Sequence, residues 1–434
     1  MTVAVNVAVL SAQAPGRPWT TPTQADIDTI YPDIEALYID LHRNPELGFQ
    51  ETQTAARLAA RVKALGFDVT TGVARTGIVA VMKNGPGPIV MWRTELDALP
   101  VAEKTGLPFA STVVVTTAGG RSTPVMHACG HDLHMAAWAG TARLMAEHRD
   151  RWQGTLMMVG QPAEEGLGGA AAMLADGLFT RFPRPDFALS LHDDDSMAAG
   201  TIGYHPGYFR AMSDVVTITV YGRGGHAAMP HNTIDPIVLA ARIVLSLQTV
   251  VSRENNPVDP VVITVGSIHG GTQANVIPDE VRLELSVRTY TPEVRARTFA
   301  AIRRIAKGEA AAAGAPREPQ IDAAAASNAP PVFNDPPLTL RLAAALKNGL
   351  GDQNVVEMPQ KMTSEDFSEY GRAGVPSALL HIGAVDPEKL AAAHATGVPV
   401  PAPHSPEWAP LREPTLKAAV RAEVTALLEL FRRN

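Results

Sequence analysis

The chain has 434 residues, 46% hydrophobic and 19% charged, with a formal net charge of -7, proportions that suit a globular protein of about two or three domains. It contains no run of lysine and arginine suited to a phosphate backbone or an anionic lipid surface, and no stretch approaches the ~20 apolar residues that span a bilayer, so neither nucleic acid nor membrane is an expected partner. Cys129 is the single cysteine; no internal disulfide can form, and redox arguments leave both a cytoplasmic and an exported location open.

The first segment, VAVNVAVL (3–10), is short and apolar and is followed by Ala12, Gln13 and Ala14, a small-residue pattern resembling an export-signal cleavage site. No basic residue precedes Arg17, so residues 1–21 read either as a signal remnant or as a flexible N-terminus. Between Ala25 and Gly66, apolar residues recur at helical spacing and are interrupted at Asn44 and Pro45, which predicts two helices. Short apolar runs then alternate with helical stretches: GIVAVM, PIVMW, a helix after Asp132, TLMMVG, the GGAAAML helix and FALSLH. That alternation predicts an α/β sheet flanked by helices.

The pattern changes near Tyr208. From Val215 to Ile321 the chain reads strand, helix (Asp235 to Val251), strand, strand, helix (Pro292 to Ala313) and a short last strand, the βαββαβ order of a ferredoxin-like unit. In VRLELSV, residues 281, 283, 285 and 287 are apolar and alternate with Arg282, Glu284, Ser286 and Arg288, so one face is expected to be buried. The Pro- and Ala-rich stretch 323–337 reads as a return linker. The expected architecture is therefore an α/β catalytic domain split into 22–210 and 328–434, with an α+β lid inserted at 211–327.

Four features carry chemistry. In MHACGHDLHM (126–135) a thiol and a histidine stand two positions apart, and both can face one centre if the chain turns there; alone, a single cysteine equally suits a small buried apolar site. In QPAEEGLGGA (161–170) two glutamates end a strand, the place where open α/β sheets put ligands, although such pairs are often solvated. His192 ends a further apolar run, and His404 lies in a proline-flanked loop. Together they favour a metal centre over four separate accidents.

At these residues the chain resembles the M20 metallopeptidase family, in the amidohydrolase branch that contains auxin-conjugate hydrolases, hippurate hydrolases and N-acyl-amino-acid deacylases. The matching stretches run in family order: LHRNPELGFQET (41–52), ELDALPVAEKTGLPFAS (95–111), MHACGHD (126–132), QPAEEG (161–166), GTIGYHPG (200–207), GRGGHAAMPH (222–231), NVIPDE (275–280), SVRT (286–289), SEDF (364–367) and HSP (404–406). The resemblance implies a metal-dependent catalytic domain, a mixed sheet flanked by helices, interrupted by a ferredoxin-like lid often used for dimerisation. It implies Cys129, His131, Glu165, His192 and His404 as ligands of one or two divalent ions. Zinc suits that donor set, and manganese, cobalt or nickel can be selected by availability and geometry.

By the same resemblance Glu164 is the general base, Asp97 orients a ligand, and the lid's His226 donates to the developing oxyanion, in family dimers sometimes from the other subunit. Asn275 and Arg288 are then candidates for the substrate's carboxylate. The implied reaction is hydrolysis of the amide of an N-acyl amino acid or similar conjugate, with a small-molecule amide as partner and a homodimer through the lid. Attack on a different C–N bond and a noncatalytic binding protein are the alternatives; the presence of Glu164 and all five candidate ligands weighs against the latter.

Two departures stand out. Glu95 replaces the family's usual aspartate, and its role is left open. Asp193, Asp194 and Asp195 replace an apolar or aromatic residue and proline, and read either as a solvated loop or as a screen against anionic acyl groups. On that reading, changing all three to asparagine alters acyl preference and spares metal content. His127 and His134 are expected to be structural or to support the ligands.

Overall fold

The computed structural model describes residues 20–116, 120–166, 168–324 and 329–432; the signal-like run at 3–10 and residues 325–328 of the expected linker lie outside them. The helix Gln24–Arg43 opens on a capping box between Thr23 and Asp26 and buries Ile27, Ile30, Ile34, Leu37 and Leu41, the stripe its sequence spacing demands. It ends at Asn44, and Thr52–Ala64 forms the second expected helix.

An eight-stranded mixed sheet follows, in the order Asp68–Val73, Gly77–Asn84, Gly154–Gln161, Ile89–Glu95, Phe187–Ala198, Ser377–Val385, Ile202–Tyr204 and Val355–Glu357. Its four central strands run parallel. They are buried almost throughout, which is why they read as unbroken apolar runs rather than alternating ones. The helices Gln24–Arg43, His131–Glu147 and Arg412–Phe431 build one apolar core with the sheet, and Met173, Phe209, Phe367 and Tyr370 belong to another. Parallel pairing aligns the four central strands at one edge: Glu95 lies opposite Gln161 at the C-terminal ends of two, and His192 opposite His381 midway along the other two. The loops that leave this edge carry Asp97, Glu164 and Glu165.

The lid is a four-stranded antiparallel sheet in the order Val262–His269, Glu280–Thr289, Met212–Tyr221 and Gln320–Ala323. With the helices Pro236–Thr249 and Pro292–Ala312 it encloses its own apolar core. Val281, Leu283, Leu285 and Val287 are all buried, as the alternation requires. A two-stranded ribbon, Gly225–His226 with Val276–Ile277, was not anticipated.

Two expectations are corrected. The segment Pro236–Glu254 has 19 residues and a mean hydropathy of 1.4, long and apolar enough to cross a bilayer by length and composition; here one face, Leu239, Ala240, Ile243 and Leu247, packs into the lid core. The described part of 323–337 is not a free linker. Val332–Asn334 pairs with Gly207–Arg210, and Asp335 caps the helix Pro336–Leu350, so this backbone is satisfied by pairing rather than by water.

Candidate metal centre

Gly130 adopts a left-handed conformation (φ 72°) at the start of the helix His131–Glu147. That turn is natural for glycine, and it sets Cys129 and His131 against the same space. Ala163, just before the two glutamates, and His404 also have positive φ, 49° and 72°. Such backbone in non-glycine residues is uncommon and concentrates at functional sites.

The cluster builds up pairwise. Cys129 Sγ lies 3.6 Å from His192 Nε2, His131 Nε2 lies 3.9 Å from Glu164 Oε2 and 4.0 Å from Glu165 Oε1, and His404 Nε2 lies 3.3 Å from Glu165 Oε2. Donor atoms of Cys129, His131 and His192, of Cys129, Glu165 and His404, and of His131, Glu164 and Glu165 each fall within 4.8 Å of one another. The structure thus gathers all five candidate ligands and Glu164. Cys129, Glu164, Glu165, His192 and His404 border a cleft of about 480 Å³, with His131 buried behind them.

These residues fit a divalent cation. His131 Nε2 and Glu165 Oε1 are buried without a hydrogen-bond partner among the described residues, a costly state unless something else satisfies them. The opposite sides of the same groups are held: His131 Nδ1 meets the Asp97 carbonyl at 2.8 Å, the Glu165 N–H donates to Asp97 Oδ2 at 3.0 Å, and His192 Nδ1 meets the Asp193 carbonyl at 2.8 Å. Asp97 therefore stands where an orienting carboxylate is expected. Burial, with Glu165 next in effect, pushes the Cys129 thiol well above its usual range. Burial likewise raises Glu165 to about 7 and, helped by Glu365, lifts Glu164 well above the carboxylate range. A cation among them reverses that preference, because the ligands bind it deprotonated.

Glu95 now has a place. Its carboxylate accepts from Arg93 and meets His134 Nδ1 at 3.1 Å, while the Asp193 N–H donates to His134 Nε2 at 2.8 Å. Glu95 thus positions the strand that carries His192. Arg93 also donates to Gln161, Glu365 and Asp366; this buried acid cluster behind Glu164 was not picked out as a unit in the sequence. Both ring nitrogens of His127 are buried without partners among the described residues, and burial lowers the ring to about 4, so it stays neutral and structural.

The acidic run is not a solvated loop, because the strand Phe187–Ala198 continues through it and buries Asp193 and Asp194. Asp193 Oδ2 accepts from the Trp408 indole at 2.9 Å and Oδ1 lies 3.1 Å from His192 Nδ1. Asp194 Oδ2 faces His381 Nδ1 at 2.6 Å and Lys361 Nζ at 2.5 Å. Since Asp193 touches a candidate metal histidine, replacement of all three acids is no longer expected to spare metal content.

Arg288 lines the cleft beside Ser364. His226 and Asn275 lie side by side on the exposed lid ribbon, joined through the Ala227 N–H and the Asn275 carbonyl at 3.1 Å, and are not among the residues lining the cleft of a single chain.

A thiol, imidazoles and paired carboxylates at the C-terminal edge of an α/β sheet, beside a ferredoxin-like lid, define a metal-dependent hydrolase. The chain belongs to peptidase family M20/M25/M40, whose model matches residues 91–402. It is 35% identical over 351 residues to the N-acetyl-L-cysteine deacetylase of Bacillus subtilis (strain 168), covering 80% of this chain and 79% of that one. To IAA-amino acid hydrolase ILR1-like 2 of Arabidopsis thaliana it is 33% identical over 346 residues, covering 80% and 75%. The crystal structure of Bacillus subtilis YxeP, described as a dinuclear metal-binding peptidase of the M20 family, matches with a TM-score of 0.74 and 28% identity over 93% of this chain and 100% of that one.

Proposed function

We propose that this chain is a metal-dependent amidohydrolase that cleaves the amide bond of an N-acyl amino acid or a similar conjugate. One observation carries the reading: a buried carboxylate, Glu164, sits 3.9 Å from His131 Nε2, which has no hydrogen-bond partner among the described residues, within a set of sulfur, nitrogen and oxygen donors that opens on a cleft. Cys129, His131, Glu165, His192 and His404 hold one or two divalent ions. Zinc suits the thiol and imidazoles, with manganese, cobalt or nickel as the other candidates. When bound, such an ion polarises the scissile carbonyl and acidifies water. Glu164 accepts the proton of the attacking water and delivers it to the departing amine nitrogen. Asp97 keeps His131 and the Glu165 backbone aimed at the ion.

His226 stabilises the oxyanion and Asn275 joins Arg288 on the substrate's carboxylate, which requires the ribbon of a partner subunit or a closing lid to reach the cleft. A lid-to-lid homodimer is supported by the outer face of the helix Pro236–Thr249, where Ile237, Val238 and Leu245 are 46%, 57% and 71% exposed, and by the edge position of the strand Val262–His269. We keep 22–210 and 328–434 as the catalytic domain and 211–327 as the lid, a division supported by their separate cores.

The test is Glu164→Gln. The variant is expected to keep its fold and metal content while kcat falls by about 10²–10⁴; substantial residual turnover rules out Glu164 as the base. Assaying free amino acid against ammonia separates this reaction from attack on another C–N bond.

A further inference from the structure

The cleft wall beside the metal ligands carries Arg210, Arg288 and Lys361. Lys361 is paired with Asp194 at 2.5 Å. The two arginines are not so paired: among the described residues no carboxylate oxygen lies within 4.0 Å of either guanidinium. Arg210 is only 6% exposed, and a buried guanidinium without an acid partner is costly. Its Nε and one terminal nitrogen lie 3.3 and 3.1 Å from His381 Nε2. That atom must offer its lone pair, so the ring proton sits on Nδ1 and faces Asp194 at 2.6 Å. His381 is therefore neutral and cannot balance Arg210.

Both arginines also meet Ser364. Arg210 reaches its carbonyl at 3.5 Å, Arg288 donates to its hydroxyl, and that hydroxyl donates to the Ala211 carbonyl at 2.9 Å. Arg210 and Lys361 face each other across a backbone bridge, so this wall is rigid. Asp195 lines the same cleft, half-buried. Asp193, Glu164 and Glu165 also line it; among the described residues none of these acids lies within 4.0 Å of either guanidinium.

We infer that Arg210 forms a second anion subsite next to Arg288, so that the preferred amino-acid half of the substrate is dicarboxylic: an N-acyl aspartate or N-acyl glutamate. The inference rests on the amidohydrolase reading above. Arg288 takes the α-carboxylate and Arg210 the side-chain carboxylate, each through guanidinium donors that the protein leaves free.

The experiment compares kcat/KM for N-acetyl-glutamate with its uncharged isostere N-acetyl-glutamine, in the metal-loaded wild type and in Arg210→Met and Arg210→Lys. A charge-assisted pair predicts a wild-type preference for glutamate of about tenfold or more. In Arg210→Met the preference collapses towards one through KM, with the glutamine value within about threefold of wild type, and Arg210→Lys is intermediate. No wild-type preference, or a preference that survives Arg210→Met, overturns the inference and leaves the amidohydrolase reading standing. Hydrolysis of neither substrate counts against the amidohydrolase reading instead. In that case, or if the methionine variant fails to fold, calorimetry on the wild type decides: glutarate must bind about ten times more tightly than butyrate, and equal binding overturns the subsite.

Discussion

Gly130 separates the strain of a turn from the crowding of a site, because the chain contains a matched control. Gly130 and Gly397 share φ 72°, with ψ of 13° and 7°. A side chain at either costs about 1–2 kcal/mol for left-handed backbone. At Gly397 an added Cβ meets nothing within 4 Å, whereas at Gly130 it comes within 2.2 Å of Asp193 Oδ2 and 2.7 Å of Cγ. Asp193 cannot simply turn away, since Oδ2 holds the Trp408 indole and Oδ1 is packed 3.1 Å from His192 Nδ1. Crowding of this kind costs about 1–3 kcal/mol more. Gly397→Ala is thus expected to destabilise by about 1–2 kcal/mol and Gly130→Ala by about 2–5 kcal/mol, measured by urea unfolding of chelator-stripped protein. Because the displaced carboxylate supports a candidate metal histidine, Gly130→Ala should also weaken metal affinity by about 10–100-fold, read by competition with a chromophoric chelator. Equal losses of stability in the two variants, or unchanged metal affinity in Gly130→Ala, refute the reasoning.

Metal affinity should rise with pH by about tenfold or more per unit near neutrality, and more steeply below about 7, because burial holds protons on Cys129 and, up to about 7, on Glu165. Cys129→Ser should bind metal more weakly and with a shallower pH slope, and an unchanged slope by competition titration argues against the thiol as a ligand. Burial alone would depress His42, but contacts with Asp132 at 2.6 Å and Glu103 at 3.0 Å hold it up at about 10. A folded pKa above the ordinary value of 6.5 means that this stabilisation, at most about 5 kcal/mol, is complete below about pH 6.5 and is lost as pH rises through 10. His42→Gln should therefore be less stable than wild type at pH 6, by an amount that shrinks towards pH 10; a pH-independent difference in urea midpoint contradicts the assignment.

The sheet, the lid order and the gathering of Cys129, His131, Glu165, His192 and His404 were legible because each depends on local pattern: an apolar run, an alternation, a polar residue at a strand end. What escaped the sequence depends on pairing between distant segments. Arg93 meets Glu365 across 272 positions, and His381 meets Asp194 across 187; no spacing rule joins them. The proline-rich return segment looked unstructured because its strand is three residues long and its partner, Gly207–Arg210, lies far upstream. The apolar length of Pro236–Glu254 escaped because the intervening polar residues break any unbroken apolar run.

The acidic run shows why such a pairing changes function as well as fold. Three consecutive aspartates normally require water, since desolvating a carboxylate without compensation is prohibitive. Here alternation along a strand sends neighbouring side chains to opposite sides, and each buried acid finds its own partners: Asp193 the Trp408 indole and the His192 ring, Asp194 the Lys361 ammonium and the His381 ring. One side braces a candidate metal ligand and the other fixes the groups that back Arg210. The run therefore does not present a bare negative screen to the substrate. The charge of Asp194 is answered by Lys361, while half-buried Asp195 still lines the cleft, so an incoming anion meets the guanidiniums of Arg210 and Arg288 beside that carboxylate.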